Sequence, residues 1–298
     1  MKKKKPSKTT LLLVLVFLVG LSLMLYPPIS DYWNSFRQSR AIATYMEKMS
    51  AIDQEKYQAL LDEARAYNAS LLENPARFSP TDQELEQYLS LLDSNGTAVG
   101  YVEAESIQLS LPVYLGTSET VLQVGAGTME GASIPIGGES THAVLTGHRG
   151  LPSATLFTDL GKLVEGDIFH VHILNEVSTY EVDQILIVDP HDVSALAIEP
   201  GQDYCTLVTC TPYGVNTHRM LVRGHRVETP EDMIFLQVAA EAAQIDPLLV
   251  APLVAAPILL LLLVWLLCGG GQVKETEPMN PHPQKGKKGG NSDENHQT

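Results

Sequence analysis

The chain has 298 residues, enough for one or two domains with a sizeable core. It carries 35 Asp and Glu against 20 Lys and Arg, a net charge of −15, and so lacks the basic footprint that nucleic acid binding needs. Residues 31–246 hold 11 basic and 31 acidic side chains, a net of −20, so an acidic middle lies between basic ends.

Residues 1–10 form a basic tail with Lys2, Lys3, Lys4, Lys5 and Lys8, and an apolar run follows over 11–28. A cleaved signal peptide would share this layout, but Tyr26-Pro27-Pro28-Ile29-Ser30 has no small-x-small cleavage pattern, so an uncleaved transmembrane anchor is expected. A second uncharged run spans 247–268. Ile258 to Leu267 is apolar on every helical face, which lipid covers more easily than a small globule does. The tail over 269–298, with Lys274, Lys285, Lys287 and Lys288, reads as disordered and cytoplasmic. Both termini are then inside, residues 31–246 lie outside, and 229–246 connects to the second span.

Residues 31–97 read as a helical region. Ile42, Tyr45, Met49 and Ile52 make one stripe at helical spacing, and Tyr57, Leu60, Ala64, Tyr67 and Leu71 make another, predicting helix from 31 to about 73. Glu73-Asn74-Pro75 breaks it. Thr81-Asp82-Gln83-Glu84 has capping-box spacing and opens a short helix through Leu92, ended by Asp93-Ser94-Asn95-Gly96.

Over 98–228 the texture changes to short β-branched runs: Val99–Val102, Ile107–Tyr114, His142–Thr146, Asp167–Ile173, Thr179–Val188, Asp203–Cys210 and Arg219–Val227. One helix is expected among them, over about 153–163. The pattern predicts a mainly β fold with a closed or nearly closed barrel.

Of the three cysteines, Cys205 and Cys210 are five apart in one strand and point to opposite faces, so they cannot easily bridge. Unpaired thiols in an exported domain invite a catalytic reading for one of them. Cys210 ends the run Thr206-Leu207-Val208-Thr209-Cys210 before a Pro/Gly loop, where a scaffold can hold a nucleophile open to substrate. Nine residues on, Arg219 opens the next strand and can meet a developing oxyanion if the strands pair. Gly147-His148-Arg149-Gly150 supplies an imidazole as acid or base. His142 and His218 are structural alternatives to His148, and Cys205 fits the core. His170 and His172 share a strand face, but two ligands do not make a metal site, so no metal is assigned and a solvated face is expected. Arg149 and Arg223 read as structural or peripheral.

The Thr206–Cys210 run, Arg219 and Gly147–Gly150 together resemble the sortase signature. The longer stretches Leu151-Pro152-Ser153, Leu156-Phe157 and Thr211 to Gly224 resemble the pilin-specific class C sortases of Gram-positive bacteria. The resemblance implies a sortase-like closed β-barrel, with N-terminal helices and a membrane helix at each end. It implies Cys210 as nucleophile, His148 as general acid and base, Arg219 as transition-state stabiliser and Thr209 as a substrate-binding residue. It implies no cofactor. The implied reaction cleaves an LPxTG-like sorting signal after Thr, holds a thioester, and passes the acyl group to a lysine amine of another pilin subunit. The class carries a lid with an Asp-Pro-aromatic motif, which is missing here. The nearest segment is Asn74-Pro75-Ala76-Arg77-Phe78, which makes Pro75 and Phe78 the lid candidates. Two other readings are a housekeeping sortase acting on peptidoglycan and a membrane-tethered barrel that binds surface proteins without a reactive thiol.

Overall fold

The structure, a computed structural model, describes residues 8–230 and position 259. The expected second span over 247–268, the connector and the tail over 269–298 lie outside the described residues.

Helix α1 runs unbroken over Lys8–Ser50, through Pro27 and Pro28. At 1.5 Å per residue its 43 residues reach about 65 Å, roughly twice the thickness of a hydrocarbon core. Its apolar part buries nothing against the protein, and among the described residues it is the one helix long and apolar enough to cross a membrane. The expected anchor and the start of the helical region are thus one rod.

The single helix expected from 31 to about 73 is instead broken at 51–53. There Asp53 leaves helical geometry and its carboxylate accepts from the Lys56 amide, capping α2, Gln54–Ser70. The two apolar stripes do face the barrel. Tyr45 and Met49 are buried from α1, and Leu60, Leu61 and Ala64 from α2. Asn68 clips α2 to the barrel: its amide donates to the Ile134 carbonyl and its oxygen accepts from the Ile134 amide. Thr81 and Glu84 form the expected capping box at α3, Asp82–Ser90.

The strands are β1 Gly100–Ala104, β2 Leu109–Leu115, β3 Ala126–Thr128, β4 Thr141–Thr146, β5 Ile168–Ile173, β6 Glu176–Val188, β7 Asp203–Thr211 and β8 His218–Val227. They close into a barrel in the order β1-β2-β3-β4-β7-β8-β6-β5. A short helix α4, Glu119–Leu122, precedes β3. Alternation puts Val102, Val171, Leu145, Leu207 and Val222 inside, each with no exposed surface. Cys205 lies on that inner face opposite Gly224, where a side chain would collide with the Phe169 ring and the Tyr180 Cβ.

Two expectations are corrected here. Residues 153–163 do not form a helix; they wrap in turns, with one 3-10 turn at Leu160–Lys162. Leu156 sits at φ 42° and interrupts any helical ladder, although Phe157, Leu160 and Leu163 are buried as a helical spacing suggests. His170 and His172 are not on a solvated face, being 5% and 6% exposed. His172 stacks on Tyr101 and its Nε2 lies 3.3 Å from the Glu103 carboxylate, while His170 bonds the Thr179 hydroxyl, and burial lowers the His170 pKa.

Candidate active site

Strand β7 pairs antiparallel with β8 in a register that sets Cys210 directly opposite Arg219. Such opposed residues share a face, so the guanidinium and the thiol lie on one surface of the barrel. Both are part-exposed. Arg219 donates from Nη1 to the carbonyls of His218 (3.1 Å) and Asn216 (3.4 Å) in its own turn. These are short backbone contacts at the strand end, and no carboxylate neutralises the guanidinium among the described residues.

The histidine arrives from the other side of β7. Strand β4 runs parallel to β7 with Thr146 beside Val208, and the Gly147 amide continues the ladder by donating to the Val208 carbonyl. Strand β4 ends at Thr146, and the same register carried two residues further would set His148 level with Cys210. The buried Thr209 hydroxyl then donates to the Gly147 carbonyl at 2.8 Å. Both backbone groups of Gly147 are therefore held by β7, immediately before the imidazole. Gly147 is required there because a Cβ would enter the Phe157 ring at 2.6 Å. The Phe157 amide in turn donates to the His148 carbonyl.

The His148 side chain is 26% exposed, and its Nε2 faces the Glu119 carboxylate at 3.4 Å. A Gln123 hydrogen bond and the nearby imidazole hold the Glu119 carboxyl below its usual range. Nothing in the sequence marks Glu119 for this place. It lies 29 residues before His148, and only the β2–β3 crossing carries α4 to the site.

The other candidates separate from this cluster. His142 is buried, with Nδ1 donating to the Ala197 carbonyl and Nε2 accepting from the Thr206 hydroxyl, both at 2.8 Å. His218 faces Asp189, and Arg223 pairs with Asp183 at 2.9 Å and stacks on Tyr204. Burial pushes the Cys205 thiol far up, which keeps it protonated and inert. Thr209 is 1% exposed on the inner side of its strand. Phe78 packs against the small apolar cluster that includes Val208 and Val144, and Val208 shares its strand face with Cys210. Arg77 stacks on the Phe78 ring and pins the segment through the carbonyls of Gly131 and Leu196, both at 2.7 Å. Pro75 sits in the turns before it. Among the described residues, no group of three or more metal-ligating side chains is assembled.

A thiol, an imidazole and a guanidinium around one strand end suit acyl transfer: attack by sulfur, proton delivery to a leaving amine, and charge support for the oxyanion. The sequence matches a Sortase domain family over residues 102–227. The fold matches sortase C1 from Streptococcus agalactiae at 50% identity and a TM-score of 0.61, covering 64% of this chain and all of that one. It also matches Streptococcus pneumoniae sortase C (44% identity, TM-score 0.57, 64% and 97% covered). A third match is a Clostridium perfringens sortase C solved with the C-terminal cell wall sorting motif (41%, 0.58, 64% and 100%). A Streptococcus agalactiae protein named Sortase A is 26% identical over 224 residues, 74% of this chain and 85% of its own length. By sequence and by fold, the chain belongs to the sortase family of cysteine transpeptidases.

Proposed function

We propose that this enzyme polymerises pilin subunits on the outer face of a Gram-positive cell, held by α1 and a second span with both termini inside. The observation that supports the reading is Cys210 directly opposite Arg219, with Gly147, the residue before His148, bonded to β7 on the other side. Cys210 sulfur attacks the Thr carbonyl carbon of an LPxTG-like signal, and Arg219 supports the oxyanion. The Thr–Gly C–N bond breaks, His148 gives its proton to the departing amine, and a thioester remains. A pilin lysine amine then attacks, His148 takes its proton, the C–S bond breaks and the thiolate returns. Glu119 orients the imidazole through its contact with Nε2. Thr209 holds the His148 loop rather than touching substrate. Phe78, with Pro75 setting its turn, covers the approach to Cys210 as a plug.

The helical layer and the identities to sortase C proteins favour this reading over a wall-anchoring one, for which the 26% identity to Sortase A is the contrary observation. The test offers the enzyme one LPxTG donor with two competing amines, a lysine-bearing pilin domain and a peptidoglycan amine. Isopeptide-linked pilin is expected. Product on the peptidoglycan amine alone would give the function to wall anchoring.

A further inference from the structure

The ectodomain is strongly acidic, yet Arg37, Arg40 and Lys48, three of its eleven basic residues, line one groove. The groove, about 680 Å³, opens between α1 and the barrel and is otherwise formed largely by Trp33, Phe36 and Tyr114. No carboxylate lines it. Among the described residues neither Arg37 nor Arg40 makes an ion pair, whereas Lys48 reaches the Asp93 carbonyl at 3.0 Å.

Its position along α1 says what fills it. The apolar stretch ends near residue 30, and Tyr32, Trp33 and Phe36 are all more than half exposed just beyond it, as aromatic side chains are at a membrane interface. Arg37 and Arg40 follow about 10 and about 15 Å above that edge. Side chains on a helix lean toward its N-terminus, which here is the membrane side, and arginine stems lie along apolar surface while the head seeks charge. Two unpaired guanidiniums thus lean toward the headgroup layer from an aromatic-walled cleft.

We propose that this groove binds the phosphate headgroup of an anionic phospholipid from the bilayer that α1 enters, leaning the barrel on the membrane in one orientation. The proposal rests on α1 being seated in that bilayer and is independent of which amine accepts the acyl group. Asp31 and Asn34, on the adjacent face of α1, bond Thr155 and Ser153 in the loop that carries His148, so the helix that lines the groove also holds the catalytic loop.

The test uses the full chain in lipid nanodiscs, in a Trp265→Phe background that leaves Trp33 as the single tryptophan. Trp33 fluorescence is quenched by phosphatidylglycerol or phosphatidylcholine, each spin-labelled near the glycerol backbone and present at the same fraction. At about 1 kcal/mol for each basic residue near an anionic surface, two arginines give a preference of up to about thirtyfold for the anionic lipid at low salt. Stronger quenching by phosphatidylglycerol is expected, lost in Arg37→Gln/Arg40→Gln, whose melting confirms that it folds. Equal quenching by both lipids, or a preference that survives in the double variant, overturns the groove site. Quenching by neither lipid overturns the seating of α1 as well.

Discussion

Thr209→Val tests whether the buried hydroxyl positions His148. The substitution keeps the shape of the side chain and removes the hydrogen bond to the Gly147 carbonyl, leaving that oxygen without its donor. Losing a buried bond in this way costs about 1–3 kcal/mol. For a domain of this size each kcal/mol lowers Tm by about 2–4 °C, so melting falls by roughly 2–12 °C. Released at Gly147, the His148 loop drifts, and a shift of about 1 Å at a catalytic group costs on the order of 100-fold. Stopped-flow acylation by an LPxTG peptide is expected to show the loss in kcat, with KM little changed, because Thr209 has almost no surface for substrate to touch. Thr209→Ser keeps the donor and restores the rate. A variant with reduced Tm but kcat within about twofold of wild type would refute the positioning role, and a rise in KM at unchanged kcat would assign Thr209 to substrate instead.

Neutral-pH alkylation of the folded chain labels Cys210 and spares Cys205 until denaturation, read by peptide mass; early labelling of Cys205 would contradict its burial. Phe78→Ala speeds the Cys210 labelling if the ring plugs the approach, and an unchanged rate removes the plug. Burial holds His142 down to about 4, while the unfolded chain protonates it near 6.5. The unfolded state therefore gains the proton first on acidification. Its contribution, about 3 kcal/mol, is fully present above pH 6.5 and lost as pH falls to 4. Denaturation midpoints across that window should fall more steeply for wild type than for His142→Gln, and parallel slopes would refute this. Asp31→Ala removes the acceptor of the Thr155 amide and hydroxyl, at 2.7 and 3.0 Å, so hydrogen exchange should quicken over 153–157. Unchanged protection there would detach α1 from the loop.

Local chemistry made much of the frame legible. The Thr81–Glu84 spacing specified a capping box, and the stripes on α1 and α2 named the side chains that the barrel buries. The five-residue separation of Cys205 and Cys210 told inner face from outer. Strand β3 escaped notice because Ala126-Gly127-Thr128 has neither length nor β-branched texture; its identity is set by close approach to β2, where a Cβ on Gly127 would meet the Gly116 carbonyl at 2.2 Å. The spacing of Leu156, Leu160 and Leu163 imitates a helix because a loop wrapped on a core also buries residues at short intervals. His170 and His172 mislead for a related reason: alternation says which residues share a face, and only the tertiary fold decides whether that face is wet. The Cys210–Arg219 pairing needed two strands to be neighbours, which sequence proposes and register states.

The most direct measurement is the intact mass of the detergent-solubilised chain after mixing with an LPxTG peptide, with Cys210→Ala alongside. The account predicts an acyl adduct on the Cys210 peptide, absent from the variant and weakened in Arg219→Ala. No adduct on either protein, with Phe78→Ala tried as well, or an adduct that persists without the Cys210 sulfur, would contradict a thioester at this strand end.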